Sequence, residues 1–406
     1  MLRGKTIVLG VTGGIAAYKA AELTRLFVKQ QAVVQAVMTA NAQHFLTPLT
    51  LQVLSGQPVC TDLFDLQFES QIGHIQVARA AHLVVVAPTT ANVVAKLAAG
   101  IADDYLTTVL LATTAPVLIC PAMNVHMLQH PATHRNLNML RELGYHVLKP
   151  ATGTLACGEE GEGRLAELQD IVEAARRLLT PPTLSGRRIL ISAGPTWEAF
   201  DPVRFVTNPS TGKMGFAIAM VAARRGAQVD LVTGPSVLCA PGGVTVSRVV
   251  TAQEMQDAME ALAPKADAII MAAAVGDYRP QMAAEQKIKK DERQLQVTLV
   301  RNPDILAHLG ETKKPRQVLI GFAAETDNLV ANATEKLRKK NLDFIVANDL
   351  LQKGAGFACD TNRVKILHRD GLVEEVPCLP KEEVAALILD RVESLLAVRA
   401  CLKATD

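Results

Sequence analysis

Residues 188–215 read RILISAGPTWEAFDPVRFVTNPSTGKMG. The apolar run at 189–192 predicts a buried strand, and the closing Gly-Lys-Met-Gly predicts the start of a helix. A Pro/Gly/Ser-rich stretch at 180–186 comes just before and is typical of a linker between domains. The segment KTIVLGVTGGIAAYK, which begins at residue 5, shows the same order of strand, glycine turn and helix. The sequence therefore predicts two nucleotide-type α/β domains, 1–180 and 188–406, joined by a linker at 181–187.

Composition and charge narrow the class of protein. The formal net charge of the 406 residues is +2, whereas nucleic-acid-binding proteins normally carry a strongly basic face. No apolar run approaches the roughly 20 residues of a membrane span. The seven cysteines, at 60, 120, 157, 239, 359, 378 and 401, are scattered and contain no C-x-x-C, which predicts a reduced, cytoplasmic protein without a disulfide framework or a zinc motif.

The first glycine turn of the chain is a candidate anion site. A predicted strand at 6–11 leads into Gly13-Gly14-Ile15, which opens a helix, and a second strand is predicted at 33–38. A turn of this kind collects backbone N–H groups at a helix N-terminus. The motif is not G-x-G-x-x-G, and the second strand ends in Thr39 instead of an acidic residue, so NAD is disfavoured. A mononucleotide phosphate and a purely structural turn both remain open.

Polar residues follow two further predicted strands. The strand at 83–87 ends in Pro88-Thr89-Thr90-Ala91-Asn92, and the strand at 117–120 ends in Pro121-Ala122-Met123-Asn124. Open α/β sheets bind ligands beyond the carboxyl ends of their strands. The convergence of three such ends favours a ligand site more than any single turn does.

The histidines of the first half differ in what they indicate. His126, His130 and His134 have the spacing of one helix face, but Pro131 cannot lie inside a helix. We therefore expect one helix to end near His130 and another to begin at Pro131, with solvated histidines and no metal site. His74 follows a glycine at a predicted loop-to-helix junction, where it either faces a cleft or is structural.

The stretch from Thr152 to Arg164 contains four glycines and no apolar period, which predicts an exposed and mobile loop. It carries Cys157. This cysteine, with Arg164 nearby in sequence, is a candidate acid or nucleophile, and an incidental surface thiol is an equally good interpretation from these residues alone.

Five stretches of the first half occur together in a fixed order. They are Gly-Val-Thr12-Gly-Gly-Ile-Ala16, Gly73-His74-Ile75, Pro88-Thr-Thr-Ala-Asn92, Pro121-Ala-Met-Asn124-Val-His-Met127 and Ala156-Cys157-Gly-x-x-Gly-x-Gly-Arg164. In this combination the half resembles the flavin-dependent cysteine decarboxylase family, in particular the decarboxylase half of bifunctional coenzyme A biosynthesis proteins. The resemblance implies a flavodoxin-like parallel sheet that binds FMN.

The same resemblance implies roles for individual residues. His74 would be the active-site base, Asn124 would bind the substrate carboxylate, and Cys157 would donate a proton from a clamp loop. Candidate substrate contacts include Arg164, and candidate FMN contacts are Thr12, Gly13, Gly14, Ile15, Thr39, Thr89, Thr90 and Asn92. A cysteine Cα carboxylate has no electron sink, so a flavin that first oxidises the thiol-bearing carbon to a thioaldehyde would make loss of carbon dioxide possible.

The second half predicts a different site. Gly212-Lys213-Met214 is not a P-loop, because Thr207 stands where its first glycine belongs and Met214 replaces the Ser or Thr that binds Mg²⁺. Basic residues cluster at 287–290 and 336–340, and Lys336 and Lys340 share one helix face. Either cluster alone is better explained as a solvated face, but two clusters beside polar strand ends predict a triphosphate site. A β-hairpin is predicted at 364–368 and 373–376, and a closing helix at 381–398.

Eight stretches of this half also form an ordered set. They are Ser192-Ala-Gly-Pro-Thr196, Asp201-Pro-Val-Arg204, Asn208-Pro-Ser-Thr-Gly-Lys-Met-Gly215, Asp277-Tyr-Arg279, Lys287-Ile-Lys-Lys290, Asn302-Pro-Asp-Ile305, Gly321-Phe-Ala-Ala-Glu-Thr326 and Ala347-Asn-Asp349. They resemble the phosphopantothenate–cysteine ligase half of the same bifunctional family. The resemblance implies a Rossmann-like domain with an added hairpin, in which CTP and Mg²⁺ activate 4′-phosphopantothenate as an acyl-cytidylate for attack by cysteine.

Site residues of the ligase half follow from that resemblance. Asn208 would polarise the acyl intermediate, in an oxyanion-type role. Arg204 and Ser210 would bind substrate, and no Mg²⁺ ligand is identified. The expected CTP contacts are Asp277, Lys287, Asn302, Pro303, Asp304, Ile305, Phe322, Lys336 and Lys340. The family also implies a homo-oligomer, a dodecamer of decarboxylase trimers and ligase dimers.

Two other functions are compatible with parts of the sequence. A non-catalytic flavin-binding regulatory subunit would share the decarboxylase fold, but His74, Asn124 and Cys157 together argue against it. An NAD(P)-dependent oxidoreductase would need the glycine fingerprint and the ribose-binding carboxylate that are missing here.

Overall fold

The computed structural model describes residues 2–64, 73–155, 158–289, 295–325, 328–349 and 359–401. The chain separates into two compact units, Met1–Pro181 (unit 1) and Pro182–Asp406 (unit 2). In the described ranges, no helix combines the length and the apolar character needed to cross a membrane.

Within its described residues, unit 1 is built on a parallel sheet of five strands in the order β2-β1-β3-β4-β5. This doubly wound order is the flavodoxin-like one, so the fold predicted for the first half is confirmed. The strands are β1 (Thr6–Val11), β2 (Val33–Met38), β3 (Leu83–Thr89), β4 (Val117–Pro121) and β5 (His146–Val147). The helices are α1 (Lys19–Lys29), α2 (Pro48–Ser55), α3 (Gly73–Ala80), α4 (Ala91–Ala99), α5 (Tyr105–Ala112), α6 (Val125–Gln129), α7 (Pro131–Glu142) and α8 (Leu168–Leu179).

Helices cover both faces of this sheet, because successive side chains of a strand point to opposite sides. Ile7 and Leu9 of β1 pack in one cluster with Phe27 of α1 and Ile171 of α8. Val8, between them, packs in the other cluster, with residues of α4, α5 and α7. The continuous apolar runs that predicted buried strands are explained by this two-sided burial.

The glycine-rich stretch of unit 1 differs from its prediction. Its described part is a two-stranded antiparallel ribbon, β6 (Ala151–Thr154) and β7 (Glu160–Arg164), in place of an irregular loop, although Thr152, Thr154, Glu159 and Glu160 are exposed as predicted. Gly163 in β7 is buried and its backbone has φ of +154°, and an added Cβ there would lie 2.3 Å from the Met123 carbonyl oxygen. The prediction was wrong because these glycines allow close backbone packing, which replaces the apolar side chains that the stretch lacks.

Unit 2, as far as it is described, contains a main sheet of eight strands in the order β12-β11-β8-β13-β16-β17-β18-β19. The first six of that order are parallel, and β18 and β19 form the predicted antiparallel hairpin. The Rossmann-like fold with an added hairpin is thus confirmed. The strands are β8 (Arg188–Ala193), β11 (Gln228–Thr233), β12 (Val244–Arg248), β13 (Ala268–Met271), β16 (Val318–Glu325), β17 (Phe344–Asp349), β18 (Thr361–His368) and β19 (Val373–Pro380).

Helices again lie on both faces of the sheet. One core cluster joins the helices at 213–224 and 381–401 to the sheet, and the other joins the helices at 252–262, 305–312 and 329–339 to it. Two short antiparallel ribbons stand beside the sheet: β9 (Trp197–Ala199) with β10 (Phe205–Thr207), and β14 (Tyr278–Pro280) with β15 (Leu299–Arg301). The helices are α9 (Lys213–Arg224), α10 (Ala252–Leu262), α11 (Ile305–Thr312), α12 (Leu329–Lys339) and α13 (Lys381–Cys401).

Candidate functional site

In unit 1, hydrogen bonds tie the ends of four neighbouring strands together. The Thr39 N–H donates to the Val11 carbonyl at 3.1 Å, and the Ala122 N–H donates to the Thr89 carbonyl at 3.0 Å. The buried Thr12 hydroxyl donates to the Pro88 carbonyl at 2.8 Å and accepts from the Thr90 N–H at 3.0 Å. The predicted strand-end residues therefore form one edge of the sheet, as the parallel arrangement requires.

The four threonines at this edge differ in what they can offer a ligand. Thr12 and Thr89 are fully buried, and their hydroxyls donate to protein carbonyls, Thr89 to that of Val86 at 2.6 Å. Thr39 and Thr90 instead accept from backbone N–H groups at helix starts. In the described part of unit 1, the hydroxyl hydrogens of Thr39 and Thr90 have no protein acceptor. A hydroxyl has one hydrogen to donate, so these two are the ones that can donate to a bound group.

The glycine turn packs closely against its neighbours and provides backbone donors beside the threonines. An added Cβ on Gly13 would lie 2.4 Å from the Asn41 Cβ, so the turn packs against the segment after β2. Ile15 begins a 3₁₀ helix, Ile15–Tyr18, that continues into α1, and its side chain is exposed, as is that of Asn92 in α4. The first N–H groups of a helix lack intrahelical acceptors and suit an anion.

Asn124 connects the end of β4 to the ribbon. Its Oδ1 accepts from the His126 N–H at 2.8 Å and caps α6, while its Nδ2 donates to the Glu159 carboxylate at 2.6 Å. The Met123 N–H donates to the Gly163 carbonyl at 2.9 Å. The amide of Asn124 is therefore already bonded to a carboxylate next to the Cys157 segment.

His74 is the second residue of α3, and its ring meets that of Tyr105 edge-on, with 6.4 Å between the ring centres. Tyr105 is buried and begins α5, which Asp104 caps.

Arg164 ends β7 and lies 3.7 Å from the Glu167 carboxylate. Cys157 lies outside the described residues.

The predicted break between two helices near His130 is confirmed. Helix α6 ends at Gln129, and His130 caps α7, which begins at Pro131. His126, His130 and His134 are exposed. Nowhere in the described ranges do three or more His, Cys, Asp or Glu side chains come together as a metal site would require.

Unit 2 contains a cavity of about 850 Å³ at the carboxyl ends of its central strands. Its wall comes from the start of α9, the ends of β13 and β16, the segment before α11, and α12. All the predicted ligase residues except Arg204 and Lys287 line it: Asn208, Ser210, Asp277, Asn302, Pro303, Asp304, Ile305, Phe322, Lys336 and Lys340.

One wall of this cavity is cationic. Lys340 donates to the Asp304 carboxylate at 2.9 Å, and Lys336 lies one turn earlier on the same helix face. Burial alone would raise the pKa of Asp304, but the hydrogen bonds from Lys340 and the Ala307 N–H outweigh it and lower that pKa. The ion pair keeps Lys340 in place at the wall.

Asn302 and Asn208 are held by backbone carbonyls. Asn302 Nδ2 donates to the Gly276 carbonyl at 2.8 Å, and its N–H donates to the Asp277 carbonyl at 2.9 Å. Asn208 Nδ2 faces the Ala274 and Val275 carbonyls, at 3.3 and 3.1 Å. Since the Asn208 amide hydrogens point at protein carbonyls, an oxyanion-type role would require Asn208 to give up one of these bonds.

Comparison with known proteins matches both units. The family model described as Flavoprotein matches residues 1–180, and that described as DNA/pantothenate metabolism flavoprotein C-terminal domain matches residues 184–396. The chain is 48% identical over 399 residues to the coenzyme A biosynthesis bifunctional protein CoaBC of Bacillus subtilis (strain 168), covering 97% of this chain and 98% of that protein.

The chain belongs to the coenzyme A biosynthesis bifunctional protein family. The CoaBC of Escherichia coli (strain K12) is 45% identical over 395 residues, with 96% of this chain and 97% of the relative covered. The crystal structure of the C-terminal domain of a CoaBC protein is 46% identical, with a TM-score of 0.46, and covers 53% of this chain and 98% of that one.

Two residues that the resemblance places in this family's ligase site lie off the cavity wall. Lys287 is exposed, and Arg204 is half-buried and paired with Asp201, with 2.6 Å between the guanidinium and the carboxylate. Arg204 also donates to the Ile288 carbonyl at 2.7 Å. Arg204 therefore contacts the backbone of the residue that follows Lys287.

Sequence reasoning missed several residues of the cavity. Lys213, the first residue of α9, lines it and pairs with Asp360 at 2.6 Å. Lys381, the first residue of α13, also lines it and is buried, donating to the carbonyls of Cys359 and Thr361. Burial lowers the pKa of Lys381. Lys213 was visible in the rejected P-loop comparison, but no local pattern singled out Lys381.

Proposed function

We propose that this chain catalyses two consecutive steps of coenzyme A biosynthesis. Unit 2 joins cysteine to 4′-phosphopantothenate with CTP, through an acyl-cytidylate, and unit 1 decarboxylates the product with FMN to 4′-phosphopantetheine. The observation that carries the proposal is the match of both halves to one bifunctional family over almost the whole chain. We assign the two activities to residues 1–180 and 188–406, with 181–187 as linker.

For the ligase, the cavity supports a nucleotide site at the strand ends. We assign Lys336 and Lys340 to the triphosphate, since they bring positive charge to its wall. Mg²⁺ would enter with CTP, held largely by phosphate oxygens. Asn208 would act at the acyl carbonyl, Ser210 and Arg204 on substrate, and Lys287 on CTP; the remaining CTP contacts are those that line the cavity.

For the decarboxylase, the strand-end edge of unit 1 fits an FMN molecule. The N–H groups at Gly13–Ile15 suit its phosphate, and the hydroxyls of Thr39 and Thr90 retain a hydrogen for it. Thr12 and Thr89, which are buried, would support this edge from the protein interior. Asn92 of α4 would contact FMN. When bound, FMN supplies reversible two-electron oxidation of the substrate.

The chain's own groups would bind substrate and move protons. Asn124 binds the substrate carboxylate through Nδ2, a role supported by its bond to the carboxylate of Glu159. His74, its ring oriented by Tyr105, accepts a proton, and Cys157 donates one to the product. Arg164 would contact substrate. We also propose that the protein is a cytoplasmic homo-oligomer, a dodecamer by family resemblance.

Two measurements test the two halves separately. The purified chain, after addition of FMN, should show a flavin absorption spectrum, and a colourless protein would contradict the decarboxylase assignment. Pyrophosphate should be released from CTP only when 4′-phosphopantothenate is present. Asn208→Ala and Lys287→Ala should each impair ligation, and pyrophosphate release unaffected by both would contradict the assigned ligase site.

A further inference from the structure

The segment that carries Lys287 is attached to the turn at 200–204 through the backbone of Ile288. The Ile288 N–H donates to Asp201 Oδ2 at 3.2 Å. The Ile288 carbonyl accepts from the Arg204 guanidinium at 2.7 Å. One carboxylate and one guanidinium therefore satisfy both backbone groups of the residue that follows Lys287.

Asp201 is built to hold this position. Its residue is 2% exposed, and its carboxylate also accepts from the N–H groups of Val203 and Arg204, both at 2.8 Å, and from Arg204 Nε at 2.9 Å. A buried carboxylate with this many donors is fixed in place, because moving it would leave several polar groups unsatisfied.

Two further contacts extend the attachment. The Ala284 N–H donates to the Phe200 carbonyl at 3.0 Å, so a second point of the 284–288 segment is held to the same turn. The Arg204 guanidinium also lies over the Phe200 ring, 5.5 Å from its centre. A planar guanidinium bonds a carboxylate and a carbonyl from one fixed fork while it stacks on a ring, a geometry that a compact ammonium group does not reproduce.

We propose that Asp201 and Arg204 are positioning residues that hold the 284–288 segment so that Lys287 is presented to CTP. Arg204 thus acts through Lys287 in addition to the substrate contact proposed for it above. The proposal rests on the proposed function of Lys287. It accounts for the contacts that Asp201 and Arg204 make with the residue that follows Lys287. A displacement of about 1 Å of a group that acts in a reaction can reduce the rate of that reaction about 100-fold.

The test uses the full chain and pyrophosphate release from CTP with 4′-phosphopantothenate, without cysteine. Asp201→Asn keeps the shape but places an NH₂ group where the Ile288 N–H and the guanidinium need an acceptor. We expect it to slow release about 10- to 100-fold, approaching the effect of Lys287→Ala. Arg204→Lys keeps the positive charge but not the combined contact with the Asp201 carboxylate and the Ile288 carbonyl, so it should also slow pyrophosphate release.

A double variant separates positioning from a general structural effect. If Asp201 acts through Lys287, adding Asp201→Asn to Lys287→Ala should lower the rate by less than about 3-fold more. Losses that multiply would overturn the proposal. Glu198→Gln is the matched control: Glu198 is also a buried carboxylate of the β9–β10 region, but it accepts from Ala252 in α10, and its variant should keep wild-type release.

The outcomes distinguish this proposal from the proposed function. An unchanged rate in Lys287→Ala would reject the role of Lys287 itself. A large loss in Lys287→Ala with normal rates in Asp201→Asn and Arg204→Lys would reject only the positioning role. Decarboxylation of added phosphopantothenoylcysteine, measured on the same samples, should stay at wild-type level and shows that unit 1 is intact. The fluorescence of Trp197, the only tryptophan of the chain, shows whether unit 2 is folded. If Asp201→Asn does not fold, Arg204→Lys with and without Lys287→Ala decides.

Discussion

The side-chain amide of Asn124 donates a 2.6 Å hydrogen bond to the carboxylate of Glu159. Under the proposed function, the same amide binds the carboxylate of phosphopantothenoylcysteine. Glu159 therefore occupies the amide that the substrate carboxylate needs, and it stands two residues after Cys157 in the sequence. Binding of substrate would exchange one carboxylate for another and release this contact of the ribbon.

Removing the charge of Glu159 should help substrate to bind. Glu159→Gln weakens the competing hydrogen bond and removes a like charge from the path of the substrate carboxylate. Because Glu159 is half exposed, we expect a modest effect, a fall of about 2- to 5-fold in KM for phosphopantothenoylcysteine. Steady-state decarboxylation kinetics measure it. Glu160→Gln, an exposed neutralisation on the same ribbon, is the control, and a raised KM in Glu159→Gln alone would contradict the competition.

The two threonines at the β3 end should differ in their effect on cofactor binding. Thr90→Val removes a hydroxyl whose hydrogen can reach a ligand, so the Kd for FMN should rise. It also removes the acceptor of the Val93 N–H at the start of α4, so some stability is lost as well. Thr89→Val leaves the buried Val86 carbonyl without its donor, which should cost about 1–3 kcal/mol of stability with a smaller change in Kd. Flavin fluorescence titration and thermal unfolding measure the two effects. Equal losses of affinity in both variants would contradict the division.

The position of the β6–β7 ribbon should depend more on Gly163 than on Gly161. Gly163→Ala would place a Cβ 2.3 Å from the Met123 backbone oxygen at a strained φ, whereas the Cβ of Gly161→Ala would meet a methyl group of the Val125 side chain at 2.9 Å, a milder clash that involves no backbone atom. We expect Gly163→Ala to lower decarboxylation at least about 10-fold, with FMN bound normally, and Gly161→Ala to lower it much less. Similar activity in the two variants would show that the ribbon tolerates displacement.

Much of the fold could be predicted because long buried strands have a strong sequence pattern. The strand at 6–11 has the predicted bounds, and β3 runs only two residues further than predicted, to Thr89. The short ribbons β9–β10 and β14–β15 were not predicted, because strands of three residues have too little pattern and depend on the neighbours they pack against.

The candidate site was predictable from the residues where polar side chains follow a predicted strand, as at Asp277, whereas Asn302, which follows the unpredicted strand β15, came from the family resemblance. It was not predictable where residues meet only through tertiary structure. Lys381 reaches the cavity from the start of the last helix, and its local sequence resembles any exposed helix start. The resemblance brought Arg204 and Lys287 together as site residues, but their link through Asp201 and Ile288 is a property of the folded chain.

Low pH should lower the free energy of unfolding of unit 2, and part of this loss should come from Asp201. Burial alone would raise the pKa of Asp201, but the N–H groups of Val203, Arg204 and Ile288 and the Arg204 guanidinium lower it from 3.8 to about 2. Above about pH 5 the carboxylate is charged in both the folded and unfolded states, and its contribution to stability is complete. As pH falls towards 2, the unfolded state takes up the proton first, so that contribution is lost.

Asp201→Asn should therefore be less stable than wild type at pH 5–7, and the difference should shrink between about pH 4 and 2. Urea unfolding followed by tryptophan fluorescence reports on the right region, because Trp197 is the only tryptophan of the chain and stacks on Phe205, 4.2 Å between ring centres, beside the Asp201 turn. Glu375→Gln, which removes an exposed carboxylate paired with Lys365, should change stability little across the same range. A difference between wild type and Asp201→Asn that stays constant down to pH 2 would mean that the Asp201 carboxylate does not hold its charge through these contacts.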